Sequence, residues 1–365
     1  MTILSPTTLP SHLELLNRLS QEFNSSLHVD IVLNKVIDEV IRAINAERGF
    51  VMLKNDIGQF IFRVARGMNH LSIDDPDFQI SRSIVEQVKS QGLPVLTSDA
   101  MTDKRFQAQH SVVSLGLRSI LCVPLKSEKD GVTGIIYVDN RLQSGMFSKV
   151  DLDLLHAIAS NAAIAIKNAS LFENLENAYE ETLMGWAKAV ELRDQDTEDH
   201  TQRVAKLTVL LANYIGLPAE QITHIHRGAM MHDIGKLGIP DGILLKNDRL
   251  TEAEFEIMKL HTTHAYDMIY PIKHLRPALD IPFSHHEKWD GTGYPRGLKG
   301  EQIPMAARLF TVVDVWDALR SNRPYRTEWS KEKVTEYLQA ESGSHFDPYV
   351  VRMFLRMLEE HPDYI

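Results

Sequence analysis

The chain has 365 residues, too many for one ordinary core, so two domains are expected. Hydrophobic residues make up 44% and charged residues 24%, ordinary values for a soluble globular protein. The net charge of −10 argues against a nucleic-acid polymer as partner, so an anionic ligand must be met by local cations. The single cysteine, Cys122, lies in the apolar run SILCVPL and reads as a small buried hydrophobe. No disulfide can form within one chain, which suits a reducing cytosol. MTILSPTTLP has neither a basic n-region nor a long apolar stretch. No window reaches the roughly 18 apolar residues of a membrane span. A cytoplasmic protein with no membrane segment is the expectation.

In chain order, residues 11–24 predict an amphipathic helix with Leu13, Leu16, Leu19 and Phe23 on one face. Residues 29–44 predict a second, carrying Ile31, Val32, Val36, Ile37, Val40 and Ile41. The β-like runs GFVML and QFIFRVA flank a turn at residues 55–58. A helix over 80–91 follows. PVLTSD, SILCVPLK and GIIYVDN read as strands, the last pair joined at Lys129-Asp130-Gly131, and 147–167 is helical again. Two helices, an antiparallel sheet and a closing helix make an α+β, sensor-like domain.

That order, with ERGFVML, SDAMTDKRF, SILCVPL, GIIYVDN and FSKVDLDLLHAIASNAAIAI, resembles a GAF domain over residues 29–169, behind an N-terminal helix in 1–28. GAF domains that bind cyclic nucleotides carry an Asn-Lys, Phe and Asp-Glu signature. This chain has Asn140-Arg141, Phe147 and Asp151-Leu152, and so departs at two positions. A sensor role and a purely dimerising role both remain open.

Residues 162–194 contain no proline and one glycine, Gly185. Phe172, Leu175, Tyr179, Thr182 and Trp186 recur at alternating steps of three and four, the spacing of a coiled-coil seam. The closing helix should therefore continue unbroken through a linker at 170–190 into the second domain, 191–365, and favour a homodimer.

The second domain reads as nearly all helical: 197–215, 221–233, a helix capped by the TEAE box at Thr251, then 304–318, 331–339 and 348–358. Residues 289–300 form a Gly-rich loop. Into this frame fall His200, His232-Asp233, His261, His285-His286 and Asp314. Imidazoles and carboxylates are ligands of divalent cations such as Mn, Fe and Zn. Burying so many ionisable groups is costly unless a cation pairs them. Adjacent His232 and Asp233 diverge by about 100° on a regular helix, so the helix should end there, with Gly235 as the stop signal.

HDIGK, HHEKWDGTGYP and TVVDVWDALRSNRPYR together resemble the HD phosphohydrolases, and within them the HD-GYP cyclic di-GMP phosphodiesterases, over about residues 186–365. The resemblance implies an all-α HD-type bundle. It implies a first metal on His200, His232, Asp233 and Asp314, and a second, bridged by Asp233, on His261, His285 and His286. Asp196, four residues before His200, implies a third metal or, as the alternative, a helix cap. His264 is read as a surface residue. Lys236, Arg323 and Arg326 resemble the cations that contact phosphate and base, with Lys236 and Asp233 also placed in catalysis. Gly293, Tyr294 and Pro295 form the GYP substrate loop, while Glu287 and Trp289 read as structural. Two or three divalent ions, Fe or Mn, would activate water and clamp the phosphate of cyclic di-GMP. The linear dinucleotide would be the product, with the mononucleotide after a second cleavage. The alternatives are another cyclic dinucleotide, such as cyclic GMP-AMP, and a non-catalytic module that docks signalling proteins on its GYP surface.

Overall fold

A computed structural model describes residues 8–67, 72, 80–107, 110–127, 129–194, 199–321 and 327–361. The backbone divides into two compact units, residues 1–177 and 178–365. Asp196, Arg323 and Arg326 lie outside the described residues.

The first unit follows the expected order. Helices α1 (Thr8–Phe23) and α2 (Val29–Ile44) precede strands β1 (Arg48–Lys54) and β2 (Phe60–Gly67). Then come α3 (Arg82–Gln91), β3 (Val95–Thr97), α4 (His110–Leu115), β4 (Ser119–Ser127) and β5 (Gly131–Asn140). The sheet is antiparallel throughout, in the order β2-β1-β5-β4-β3. Alternation along the strands supplies both of its faces. Leu121, Val123, Leu125, Ile136 and Val138 pack with α1, α2 and the start of α5. Ile120, Cys122, Ile135 and Tyr137 pack with α3 and its neighbours. Burial raises the Cys122 thiol well above its ordinary value, so it stays a protonated core group. The polar residues of the incomplete signature serve local turns. Asn140 accepts from Leu142 and Gln143, and Asp151 accepts from the Ser148 backbone.

Helix α5 runs without interruption from Lys149 to Asp194, 46 residues, as the lack of breakers predicts. Its proposed seam divides. Leu175 is 68% and Trp186 41% exposed. Tyr179 instead stays in its own unit, ringed by His274 and Arg227.

The second unit is helical: α6 (His200–Ile215), α7 (Ala219–Met230), α8 (Asp241–Leu244), α9 (Glu252–Lys259), α10 (His261–Ile269), α11 (Asp280–Ser284), α12 (Met305–Arg320), α13 (Lys331–Ala340) and α14 (Pro348–Glu360). Its core joins Val204, Leu211, Ala229, Phe310, Val313, Trp316 and Phe354. A second cluster puts Leu183 and Val190 of α5 against Met231, Ile234, Ala265 and Ile269. These two clusters lie under the segments that carry the histidines. No described helix is long and apolar enough to cross a membrane.

Candidate metal centre

Asp314 lies inside α12, and every other ligand-type residue sits where a helix starts or stops. Helix α7 ends at Met230, and Met231 turns the chain out (φ −108°, ψ 11°). His232 and Asp233 follow in that turn, ahead of a 3-10 turn at Ile234–Gly238, so neighbouring side chains need not diverge as on a helix. His285 caps α11, and His286 is the next residue. His200 opens α6 and His261 opens α10.

Gly235 has a different reason from the expected one. Its φ is not positive, so it is no left-handed cap. A Cβ there would overlap the His261 carbonyl oxygen. Only glycine lets the HDIGK turn lie against the start of α10, which brings Asp233 and His261 together. Gly293 acts likewise: a Cβ would overlap the backbone at Glu287 and Lys288.

Two groups of donors result. In one, His200, His232 and Asp314 have ligand atoms within 4.8 Å of one another; in the other, His261, His285 and His286 do. Asp233 stands between them. Its Oδ2 is 3.1 Å from His232 Nε2, while its Oδ1 is 3.7 Å from His261 Nε2 and 4.0 Å from His285 Nε2. One carboxylate thus turns one oxygen to each group.

The far nitrogens are already occupied. Nδ1 of His232, His261 and His285 lies 2.9, 2.8 and 3.0 Å from the carbonyls of Ala229, Met258 and Ile281. His200 Nδ1 lies 2.7 Å from Asp317 Oδ2, and Asp317 is fixed by two Arg203 contacts of 2.8 and 2.9 Å. These partners turn each Nε2 inward, where His232 meets Asp233 and His200 Nε2 lies 3.3 Å from Asp314 Oδ1.

Electrostatics agree. Burial lowers His285 to about 3, and His261 and His232 add to that. Burial also drives His286 well down and lowers His261 despite Asp233. These three imidazoles are neutral, the form that binds a cation. Burial works to raise the Asp233 carboxyl, but Lys236 first and His232 next hold it well below its ordinary range. Against the same penalty, His200 keeps Asp314 low. Burial works to lower His232, but Asp233 outweighs it and raises that imidazole. Neutral imidazoles around one point and ionised carboxylates beside them fit borderline divalent cations.

The other expected residues fall as follows. Lys236 Nζ is 2.6 Å from Asp233 and 2.8 Å from Asp194, so two carboxylates hold it. Tyr294 lies over His286, ring centroids 4.8 Å apart, and its N–H donates to the His286 carbonyl at 3.1 Å. Gly293 is partly buried beneath that loop, and Pro295 is exposed. Buried Glu287 accepts from the backbone of Arg296 and Leu298, at 2.8 and 2.9 Å, which folds the loop back. His264 is not a surface residue: it is partly buried against Gly238.

Sequence reasoning missed Asp317, Arg203 and the Asp194 contact. The first two had a signal. Asp317 lies three residues after Asp314, and Arg203 three after His200, on shared helix faces.

Residues 186–350 match the family model of the HD domain, and residues 28–166 that of the GAF domain. The chain is 35% identical over 237 residues to 3′3′-cGAMP-specific phosphodiesterase 2 of Vibrio cholerae, 64% of this chain and 45% of that protein. It is 42% identical over 177 residues to a cyclic di-GMP phosphodiesterase of Thermotoga maritima, 47% of this chain and 48% of that one. It thus spans about half the length of the curated relatives it matches. The crystal structure of a GAF domain from an Acinetobacter phosphoenolpyruvate-protein phosphotransferase aligns with 46% of this chain and 97% of its own, at 22% identity and a TM-score of 0.35.

Proposed function

We propose that this chain, a GAF domain adjoining an HD domain, is a GAF-regulated, metal-dependent phosphodiesterase that opens cyclic di-GMP to linear pGpG. The observation that carries the reading is Asp233, set between two donor groups with one oxygen toward each. His200, His232, Asp233 and Asp314 would hold one cation; Asp233, His261, His285 and His286 would hold the other. Divalent cations bound there supply charge to a phosphoryl oxygen and acidify water for attack at neutral pH. Iron or manganese suits the mixed nitrogen and oxygen donors. Asp196 is proposed as donor to a third ion.

The protein's own groups orient and screen. Lys236 neutralises the Asp233 carboxylate and would meet a phosphate brought to it. Arg323 and Arg326 are proposed to clamp phosphate and guanine. Tyr294 and Gly293 form the wall beside His286, and Pro295 completes that loop. We assign residues 29–169 to the sensor, 170–190 to the linker and 191–365 to the hydrolase. Exposed Leu171, Leu175 and Trp186 on α5 support a homodimer through the linker helix. A single buried, unpaired cysteine among the described residues suits the cytoplasm.

A relative named for 3′3′-cGAMP supports a second substrate, the mixed cyclic dinucleotide, at the same site. The test is an anaerobic preparation with metal analysis and chromatography of products from both dinucleotides. Two or more metals per chain and release of pGpG are expected, with GMP appearing if a second cleavage occurs. One metal or fewer, with no hydrolysis under any added metal, overturns the reading and favours a docking module.

A further inference from the structure

None of the eight residues of helix α9 is buried. Phe255 is 44% and Ile257 38% exposed. A helix this short is not stable alone and normally borrows stability from a buried apolar face. Here the ends hold it. Thr251 and Glu254 form a capping box, and the Met258 carbonyl meets His261 Nδ1 at 2.8 Å. The face that carries Phe255 is free for something else, and it lies beside the candidate metal centre.

Phe255 and Lys259 are one turn apart on that face. The Phe255 ring stands edge-on to Tyr294, centroids 6.3 Å apart. Tyr294 in turn covers His286 at 4.8 Å and stands 6.4 Å from His261. Lys259 Nζ lies 5.0 Å from the Phe255 centroid and 5.6 Å from that of Tyr294. Its only ion pair among the described residues is with the 63% exposed Glu256. Two aromatic rings with one ammonium between them therefore line the approach to the second histidine group.

We propose that Phe255 and Lys259 form a base-reading recess that seats one guanine of the substrate; this rests on the phosphodiesterase reading. The rings supply stacking area for a purine face. The ammonium supplies donors. Guanine offers two acceptors on one edge, O6 and N7, whereas adenine offers N7 and a competing N6 donor. A lysine at the edge of the stack thus favours guanine over adenine, and α9 becomes the element that ranks cyclic dinucleotides.

The test compares Lys259→Met, Lys259→Arg and Phe255→Leu in the full-length, metal-loaded chain. Cyclic di-GMP and cyclic di-AMP serve as substrates, and their hydrolysis-resistant phosphorothioate analogues serve as ligands for calorimetry. Lys259→Met is expected to raise KM and the analogue Kd for cyclic di-GMP about tenfold, within the range of one base contact. It should leave kcat and metal content unchanged and abolish the preference for guanine, and Lys259→Arg should restore that preference. Phe255→Leu should weaken both ligands alike. Equal loss for both bases in Lys259→Met, or no change in either, overturns the recess. If the wild type binds guanine through Lys259 yet cleaves nothing, the recess stands and the phosphodiesterase reading falls. If it cleaves normally and Lys259→Met is silent, the reverse holds.

Discussion

Both units bury charge, in opposite ways. In the first, Arg48 and Asp139 meet in a two-pronged ion pair at 2.8 and 2.5 Å, with both side chains at most 5% exposed. Each partner answers the other. Burial still lifts the Asp139 carboxyl above its ordinary value, with Arg48 opposing. In the second, five histidines and two aspartates aim lone pairs at two points, and their outward nitrogens are taken by protein acceptors where contacts are described. Buried ionisable groups alone do not mark a site. Ligand-type atoms of several side chains converging within 4.8 Å of one another do.

The largest effect should follow from Asp233→Ala. It removes the only described carboxylate that faces both groups, and with it one of the two carboxylates that hold Lys236. Hydrolysis should fall to background, and metal per chain should drop by at least one, read by elemental analysis. Near-normal turnover would break the comparison, because the cluster would then be as self-contained as the Arg48 pair.

Asp139→Ala is the counterpart in the first unit. It breaks the buried ion pair of Arg48, and removing one partner of such a pair costs about 3–5 kcal/mol. Thermal unfolding should show that loss while metal per chain stays constant. A metal-depleted variant would mean that the two kinds of buried charge are not separable.

Asp317→Ala sharpens the comparison within the site. Asp317 touches His200 through the nitrogen facing away from the cluster, and Arg203 holds it there. His200 and Arg203 keep its carboxyl near 2, against the opposing effect of burial. Loss of such a supporting partner typically lowers metal affinity about 10–100-fold. Activity should therefore need more metal in titration yet recover at saturation, unlike that of Asp233→Ala.

These variants also show what the sequence made legible. The seven ligand-type residues were readable because imidazole beside carboxylate is a chemical statement that needs no coordinates. The unbroken α5 was readable because helix breakers are local. Short α4 was not read: six residues with no strong period give little signal. Asp317 and Arg203 each share a helix face with a ligand-type residue, but they act on partners more than a hundred positions away, and that local spacing does not say which. Gly235 was noticed for the wrong reason. A left-handed stop and a close approach both call for glycine, and only the fold separates them.

The smallest effect concerns α9 and Thr251→Ala. Thr251 Oγ1 accepts from the Glu254 N–H at 3.3 Å, and Glu254 accepts from the Thr251 N–H at 2.7 Å. Lys246, then Thr251, hold the Glu254 carboxyl at about 2, so the box is intact at neutral pH. Losing such a cap costs about 1 kcal/mol. The cost lands on a helix that buries nothing, so it should appear as local fraying rather than as global instability. Amide exchange over residues 252–259 should quicken, while the melting temperature stays unchanged. If α9 positions Phe255 and Lys259 for substrate, the same loss should raise KM for cyclic di-GMP by up to about fivefold, since 1.4 kcal/mol is a factor of ten. Metal content should not change, because the lost cap frays the first turn of α9 and the Met258 carbonyl that anchors His261 lies in its last turn. A lower melting temperature with KM untouched would make α9 a strut of the fold, and the metal centre would then be bounded on that side by Tyr294 alone.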